Sequence, residues 1–287
     1  MIETTLPGHF PPSFTATGRI NLSQLARENK GYRPQPFPPT RIEDASPLQK
    51  GRNEAEFLDE YGFVLLEAPT AVRNWADSEH VSETYLPEVE AMIRERLYRG
   101  REMIIMQPPR VMRRGAGTET PQYGTGIHCD HDRTADSYQH NVEAFAGKEA
   151  AARLRARMDQ DDVDRFVVLD FWRPTMDEPL RHMPLVLCDP NSIDPEDLIS
   201  TALEGIAPNG AATHHIGLKH NPGQHWYYYP EMTADEVLVF KLFELRKGEE
   251  PQRFRACLHC AVEDPNTPAD AKPRQSCEHR VSVMLLK

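Results

Sequence analysis

The sequence predicts a mostly β fold, a sandwich or jelly roll with helices packed outside it. Three observations carry that prediction. Helical signals concentrate in the first half of the chain and in one stretch at 139–158. From there to the C-terminus the chain is a succession of short apolar runs rich in Val, Ile, Phe, Tyr and Trp. Pro, Gly, Asn and Asp separate most of these runs, as turns between strands require. No internal repeat at a fixed period is visible.

Residues 1–50, with PGHFPPSF and RPQPFPPTRIEDASP, lack periodicity and are expected as an extended arm lying over a single domain at 51–287. EAEFLDE at 54–60 reads as a short helix stopped by Gly62, and FVLLEA as the strand that follows. The segment 81–99 is the clearest helix. Leu86, Val89, Met92, Ile93 and Leu97 form its apolar stripe, and charges fill the opposite side, so it is a packing element. REMIIMQ is expected as a core strand and QYGTGIHCDHD as an irregular, glycine-punctuated one. Residues 139–158 are good helix formers and are expected as a helical insert. The strands RFVVLDFWRP, MPLVLCD, THHIGLKH, HWYYYP, EVLVFKLFE, RFRACLHCAV and EHRVSVMLLK complete the chain.

Composition limits the function. A chain of 287 residues is long enough to bury a proper core. A net charge of −11 argues against the basic face of a nucleic-acid binder. No apolar stretch approaches the ~20 residues that span a bilayer, and the N-terminus MIETTLPGHFPPSF lacks a basic start followed by an apolar run. A cytoplasmic protein without a membrane or nucleic-acid partner is expected. The odd set of Cys129, Cys188, Cys257, Cys260 and Cys277 fits reduced thiols better than a disulfide framework. Cys257 and Cys260 have the spacing of half a zinc site, but no second C-x-x-C accompanies them, so core packing is the simpler reading.

The strongest chemical signal is His128-Cys129-Asp130. Side chains two apart on a strand share a face, so an imidazole and a carboxylate converge on one ion. Asp132 shares that face too, but the spacing favours Asp130; His131 points the other way. A second imidazole from a distant strand, His259, completes a 2-His-1-carboxylate set, which leaves positions open on an octahedral iron. Two R-x-S pairs follow, Arg274 with Ser276 and Arg280 with Ser282. An arginine fork matches a carboxylate bidentately, and the serine two residues on adds a hydrogen bond, which suits the distal carboxylate of 2-oxoglutarate. Arg280, which leads directly into an apolar strand, is slightly favoured over Arg274; both together remain open. His214 and His215 read as structural.

On these residues the chain resembles the fungal and bacterial oxygenases that include gibberellin desaturase-like and cephamycin methoxylation-type proteins. The stretches that carry the resemblance are ETYLPEVEAMI, GIHCDHD, FWRP, PLVLCDPNSI, HWYYYPEMTADEVLVFK, LHCAVEDP and PRQSCEHR, from about residue 55 to the C-terminus. The resemblance implies a double-stranded β-helix core and an iron(II)- and 2-oxoglutarate-dependent dioxygenase that uses O2 in secondary metabolism. One iron site serves hydroxylation, desaturation and oxidative cyclisation of a small metabolite alike, so all three are expected. Candidate substrate contacts are Arg113, Arg114, Tyr123, Trp172, Arg173 and Tyr228. Trp172 and Arg173 should point to opposite faces, so that one of them reaches the site. Cys129, Cys257, Cys260 and Cys277 are expected to crowd the metal. Two other classes fit the same residues less fully: an iron oxidase independent of 2-oxoglutarate, and a non-catalytic jelly-roll binding protein.

Overall fold

The computed structural model describes residues 1–28 and 37–287. Its first part comprises β1 (Ile2–Thr4), β2 (Ile20–Asn21), α1 (Leu22–Glu28), β3 (Thr40–Asp44), α2 (Ser46–Gln49), α3 (Glu54–Tyr61) and β4 (Phe63–Glu67). Next come α4 (Ser78–Met92), continued by a π-helical turn at Ile93–Leu97, then β5 (Met103–Met106), β6 (Met112–Arg114), α5 (Ala135–Ala146) and α6 (Lys148–Met158). The remaining strands are β7 (Val163–Pro174), β8 (Leu185–Cys188), β9 (Leu198–Leu203), β10 (Thr213–Leu218), β11 (Trp226–Tyr228), β12 (Glu236–Arg246), β13 (His259–Ala261) and β14 (Ser276–Leu286).

Among the described residues the strands form a large sheet ordered β4-β12-β7-β14-β5, with β6 also on β14, and two smaller ones, β1-β3-β11-β8-β13 and β10-β9-β2. The smaller pair is joined where His128 bridges His259 and Cys129 bridges Ile216. Period-2 alternation divides β7 and β14 into two faces. The register pairs Cys277 with Arg173 and His279 with Phe171 on one face. That face packs under α4, whose Tyr85 ring lies 6.4 Å from His279. The other face carries Asp170 opposite Arg280 and Trp172 opposite Glu278. Phe240 of β12 pairs with Asp170 and extends that row, and its ring lies 4.9 Å from His259 on the smaller sheet. The functional face is therefore the inner one, between the sheets.

Local chemistry explains the helix boundaries. Asn53 accepts the Ala55 and Glu56 amides and opens α3, while Gly62 at φ 77° closes it in a conformation that a side chain disfavours. The stretch expected as one helical insert is two helices, because Gly147 at φ 85° breaks it and Thr134 caps the first. In α4 the buried stripe is Val81, Tyr85, Val89 and Met92, continued by Ile93 and Leu97. Leu86, expected on that stripe, is half-buried. REMIIMQ is an edge strand with every residue of β5 half-buried, not a core strand. QYGTGIHCDHD holds no regular strand and touches the sheets only through the isolated bridges at His128 and Cys129. The N-terminal segment supplies β1 and β3 to the smaller sheet, where Ile2, Leu6 and Ile42 enter a second core with Trp226, Val186 and Leu258.

On β12 a bulge between Lys241 and Phe243 gathers a buried ion network. Lys241 Nζ lies 2.6 Å from Glu244, whose other oxygen meets Arg246 at 2.5 Å. Burial opposes ionisation of Glu244, yet Lys241, then Arg246 and Arg165, hold its carboxyl below the usual range. Glu244→Gln leaves the ammonium of Lys241 poorly compensated in the core, and a loss of about 3 kcal/mol in unfolding free energy is expected by urea titration at pH 7. A carboxyl with a depressed folded pKa stabilises above its unfolded value and stops doing so as pH falls through the folded one. The difference between wild type and Glu244→Gln should therefore shrink below about pH 4.

Candidate metal centre

His128 and His259 lie side by side as a bridged antiparallel pair. The His259 amide donates to the His128 carbonyl at 2.9 Å, and the reverse bond is 3.2 Å. Their ring centroids are 4.5 Å apart. Asp130 joins them, with Oδ1 3.4 Å from His128 Nε2. One ligating atom from each of the three falls within 4.8 Å of the others. Both imidazoles are pre-set for ligation. His128 Nδ1 faces the Gly126 carbonyl at 2.7 Å, and His259 Nδ1 faces the Cys257 carbonyl at 3.2 Å. A carbonyl only accepts, so each Nδ1 carries the hydrogen and each Nε2 keeps its lone pair for a metal. His259 is buried, and burial and then the neighbouring His128 push its pKa down to about 4, which keeps it neutral. Burial also works against ionisation of Asp130, but Arg280, then His128, hold its carboxyl well below the usual range. Burial opposes protonation of His128, but its contact with Asp130 outweighs this and raises its pKa. Two imidazoles and one carboxylate form a donor set that suits iron(II).

The neighbouring candidates are used elsewhere. Asp132 pairs with Arg19 at 2.6 Å and is not a ligand. His131 lies 3.2 Å from the Asn141 amide nitrogen and packs against Tyr138. His214 stacks on His140 at 3.8 Å, and His215 meets the Thr213 hydroxyl at 2.7 Å. The converging ligand group holds no thiol among the described residues: the cysteines are free and buried, and burial raises the pKa of each. Cys257 and Cys260 enter different cores, so they do not form one metal site. Cys129 donates to the Leu242 carbonyl at 3.2 Å.

The two R-x-S pairs separate sharply. Arg280 Nε lies 3.1 Å from Asp130 Oδ2, and its other contacts are Glu278 at 3.4 Å and Asp170 at 3.8 Å. Ser282 is hydrogen-bonded to Tyr138 at 3.0 Å. Arg274 is 1% exposed and sits among aromatic rings, 4.3 Å from the Tyr123 centroid and 5.5 Å from Trp172. Its Nη1 donates to the Met183 carbonyl at 2.6 Å, while its Nε and the Ser276 hydroxyl are buried without partners. Gly115, at φ 124°, lets the chain pass Arg274; a Cβ there would stand 2.4 Å from the Arg274 carbonyl oxygen.

Of the expected substrate contacts, Arg114, Tyr123 and Trp172 surround this region. Arg114 binds Glu278 at 2.8 Å, and the Tyr123 hydroxyl donates to the Arg274 carbonyl at 2.7 Å. Arg113 turns to Glu119 at 2.9 Å. Two others lie elsewhere. Arg173 occupies the opposite face of β7, over Tyr85 at 5.2 Å, because it is one residue out of phase with Trp172. Tyr228 packs in the second core, and its hydroxyl accepts from the Met1 amine at 3.0 Å. Asp170, Glu278 and Phe240 belong to the site and were not anticipated. A carboxylate inside the apolar run VVLDFW was the available signal for Asp170.

Comparison with known proteins decides the family. Residues 20–284 match the family YDMC, described as an oxidoreductase/YMDC permease-like domain. The chain belongs to that family. Among curated relatives, hydroxylase/desaturase CTB9 of Cercospora beticola is 26% identical, over 80% of this chain and 73% of its own length. The Fe(II)/2-oxoglutarate-dependent dioxygenase nvfI of Aspergillus novofumigatus is 25% identical, over 85% of this chain and 82% of its own. A solved structure of the iron and alpha-ketoglutarate-dependent endoperoxidase NvfI superposes with a TM-score of 0.69 at 21% identity, covering 99% of this chain and 98% of that one. The fold of this YDMC-family chain is thus a jelly roll, the double-stranded β-helix of 2-oxoglutarate oxygenases, with helices flanking it.

Proposed function

We propose that this protein is an iron(II)- and 2-oxoglutarate-dependent dioxygenase that hydroxylates, desaturates or oxidatively cyclises a small metabolite of secondary metabolism. The observation that carries the reading is the convergence of His128, Asp130 and His259, with each imidazole oriented by a backbone carbonyl. These three residues would hold the iron. With 2-oxoglutarate and O2, the bound iron supplies oxidation of an unactivated C–H bond.

The chain's own groups supply binding and exclusion of water. Arg274 and Ser276 are assigned to the distal carboxylate of 2-oxoglutarate, in place of Arg280 and Ser282. The Arg274 Nε and the Ser276 hydroxyl are buried without partners, and a carboxylate would satisfy both; Arg280 Nε also makes no hydrogen bond, but its guanidinium is already ion-paired to Asp130, and Ser282 is bonded to Tyr138. Trp172 and Tyr123 wall that pocket and keep water from it. Phe240 packs on His259 and fixes its ring. Arg114 and Tyr123 are placed to meet substrate. The finer kinship with gibberellin desaturase-like and cephamycin methoxylation-type enzymes rests on the motifs quoted above. The charge of −11 supports a small-molecule rather than a nucleic-acid partner. No helix among the described residues is long and apolar enough to cross a membrane. The free thiols support a reducing, cytoplasmic location.

Anaerobic titration with iron(II) and then 2-oxoglutarate tests the assignment. A visible metal-to-ligand charge-transfer band is expected. Iron binding without the band would move the reading to an oxidase independent of 2-oxoglutarate, and absence of iron binding to a non-catalytic binding protein.

A further inference from the structure

The contact between Arg280 and Asp130 has a role in the site that sequence spacing does not suggest. Asp130 divides its two oxygens: Oδ1 is turned to His128 Nε2 at 3.4 Å, and Oδ2 is ion-paired with Arg280 Nε at 3.1 Å without completing a hydrogen bond. A carboxylate free on both sides can bind one metal ion through both oxygens and so occupy an additional coordination position. The chemistry proposed above needs that position open, because 2-oxoglutarate takes two sites and O2 another.

We propose that Arg280 is a positioning residue that occupies Oδ2 of Asp130 and leaves only Oδ1 for the metal, so that the positions required by 2-oxoglutarate and O2 stay free. This rests on the metal reading of His128, Asp130 and His259.

The surroundings of Arg280 suit that task. The guanidinium is held from three sides. Glu278 Oε1 lies 3.4 Å from its Nη2 and Asp170 Oδ2 lies 3.8 Å from its Nε. Both acids are themselves anchored. Arg114 grips Glu278 through Nε at 3.0 Å and Nη2 at 2.8 Å, and the His279 amide donates to Asp170 at 3.1 Å. Asp170, at 1% exposure, stands opposite Arg280 on the neighbouring strand of the same face. Asp130 belongs to an irregular segment, and Arg280 to the middle of the longest ladder in the fold. The rigid sheet thus orients a carboxylate that its own backbone holds loosely. Burial, then Glu278, raises the pKa of Asp170, so the charge facing Arg280 comes from Asp130 and Glu278. A group already shared between two carboxylates is a poor anchor for a third, which separates Arg280 from Arg274.

The test is the hydration of bound Mn(II), followed by water-oxygen-17 relaxation and EPR, in wild type, Arg280→Gln and His128→Ala. Arg280→Gln is expected to bind Mn(II) with one fewer exchangeable water than the wild type. The 2-oxoglutarate concentration that half-saturates the iron(II) charge-transfer band should rise at least about tenfold, or ~1.4 kcal/mol. Equal water counts in wild type and Arg280→Gln overturn the proposal. If equal counts accompany a raised 2-oxoglutarate requirement, Arg280 contacts 2-oxoglutarate itself. Should Arg280→Gln fail to fold, Arg280→Gln with Asp170→Asn removes one carboxylate along with the cation and carries the same measurement. Mn(II) binding in wild type that His128→Ala leaves unchanged would overturn the metal reading instead, so the two failures are distinguishable.

Discussion

His259→Ala is expected to reduce 2-oxoglutarate-dependent turnover to background and to eliminate the charge-transfer band. The substitution removes one of the three converging ligands and leaves an imidazole and a carboxylate from a single irregular segment. Two ligands two residues apart hold a divalent ion weakly, because nothing ties it to the opposite strand. The cavity left beside Phe240 adds instability but does not mimic this loss, since the fold depends on the sheets rather than on the ring. The contrasting substitution is His131→Ala. His131 neighbours the ligands in sequence yet faces Asn141 and Tyr138, so iron binding and the band should persist. Anaerobic absorbance titration of the two variants makes the comparison; a band that survives in His259→Ala would refute the ligand set.

Arg274→Lys is expected to raise the KM for 2-oxoglutarate by about 30-fold or more, while Mn(II) affinity stays at the wild-type level. Lysine keeps a cation in the buried pocket, but its point charge cannot replace the planar fork that pairs with a carboxylate and stacks beside Tyr123 and Trp172. Loss of a desolvated charge-assisted pair costs about 2–5 kcal/mol, and the lower end of that range corresponds to the factor quoted. Steady-state kinetics with varied 2-oxoglutarate, together with a Mn(II) titration, separates this from a metal defect. If KM is unchanged, the distal carboxylate lies elsewhere and the unpartnered Arg274 Nε and Ser276 hydroxyl have another use.

Much of the site was legible in the sequence because it obeys strand alternation. His128 and Asp130 share a side, Trp172 and Arg173 do not, and Arg280 and Ser282 of β14 stand two positions apart. Alternation does not say which neighbour each side chain meets. The sequence therefore offered both Arg274 and Arg280, with Arg280 slightly favoured. The difference is tertiary: Asp130 comes from a distant segment to engage Arg280, while Tyr123 and Trp172 enclose Arg274. The fold was legible where apolar runs were long, as in β7, β12 and β14. It was not where strands were short or polar, as with β1, β2 and β3, whose pairing comes from tertiary burial rather than local propensity. The break at Gly147 was visible as a glycine amid helix formers, and the surrounding alanines masked it.

The segment around His128 is fastened to the rest of the fold at scattered single points. The Gly124 carbonyl accepts from the Ala261 amide, the Ile127 amide donates to the Pro7 carbonyl, and His128 and Cys129 make one bridge each. None of these extends into a ladder, so opening this stretch breaks few backbone hydrogen bonds, although it also releases the contacts of Asp130 with Arg280 and of Cys129 with Leu242. An ion shared by positions 128, 130 and 259 links it to β13 and opposes that opening in proportion to occupancy. Metal supply would then be written into the amide-exchange rates and protease resistance of residues 121–130 before it is felt by the protein as a whole.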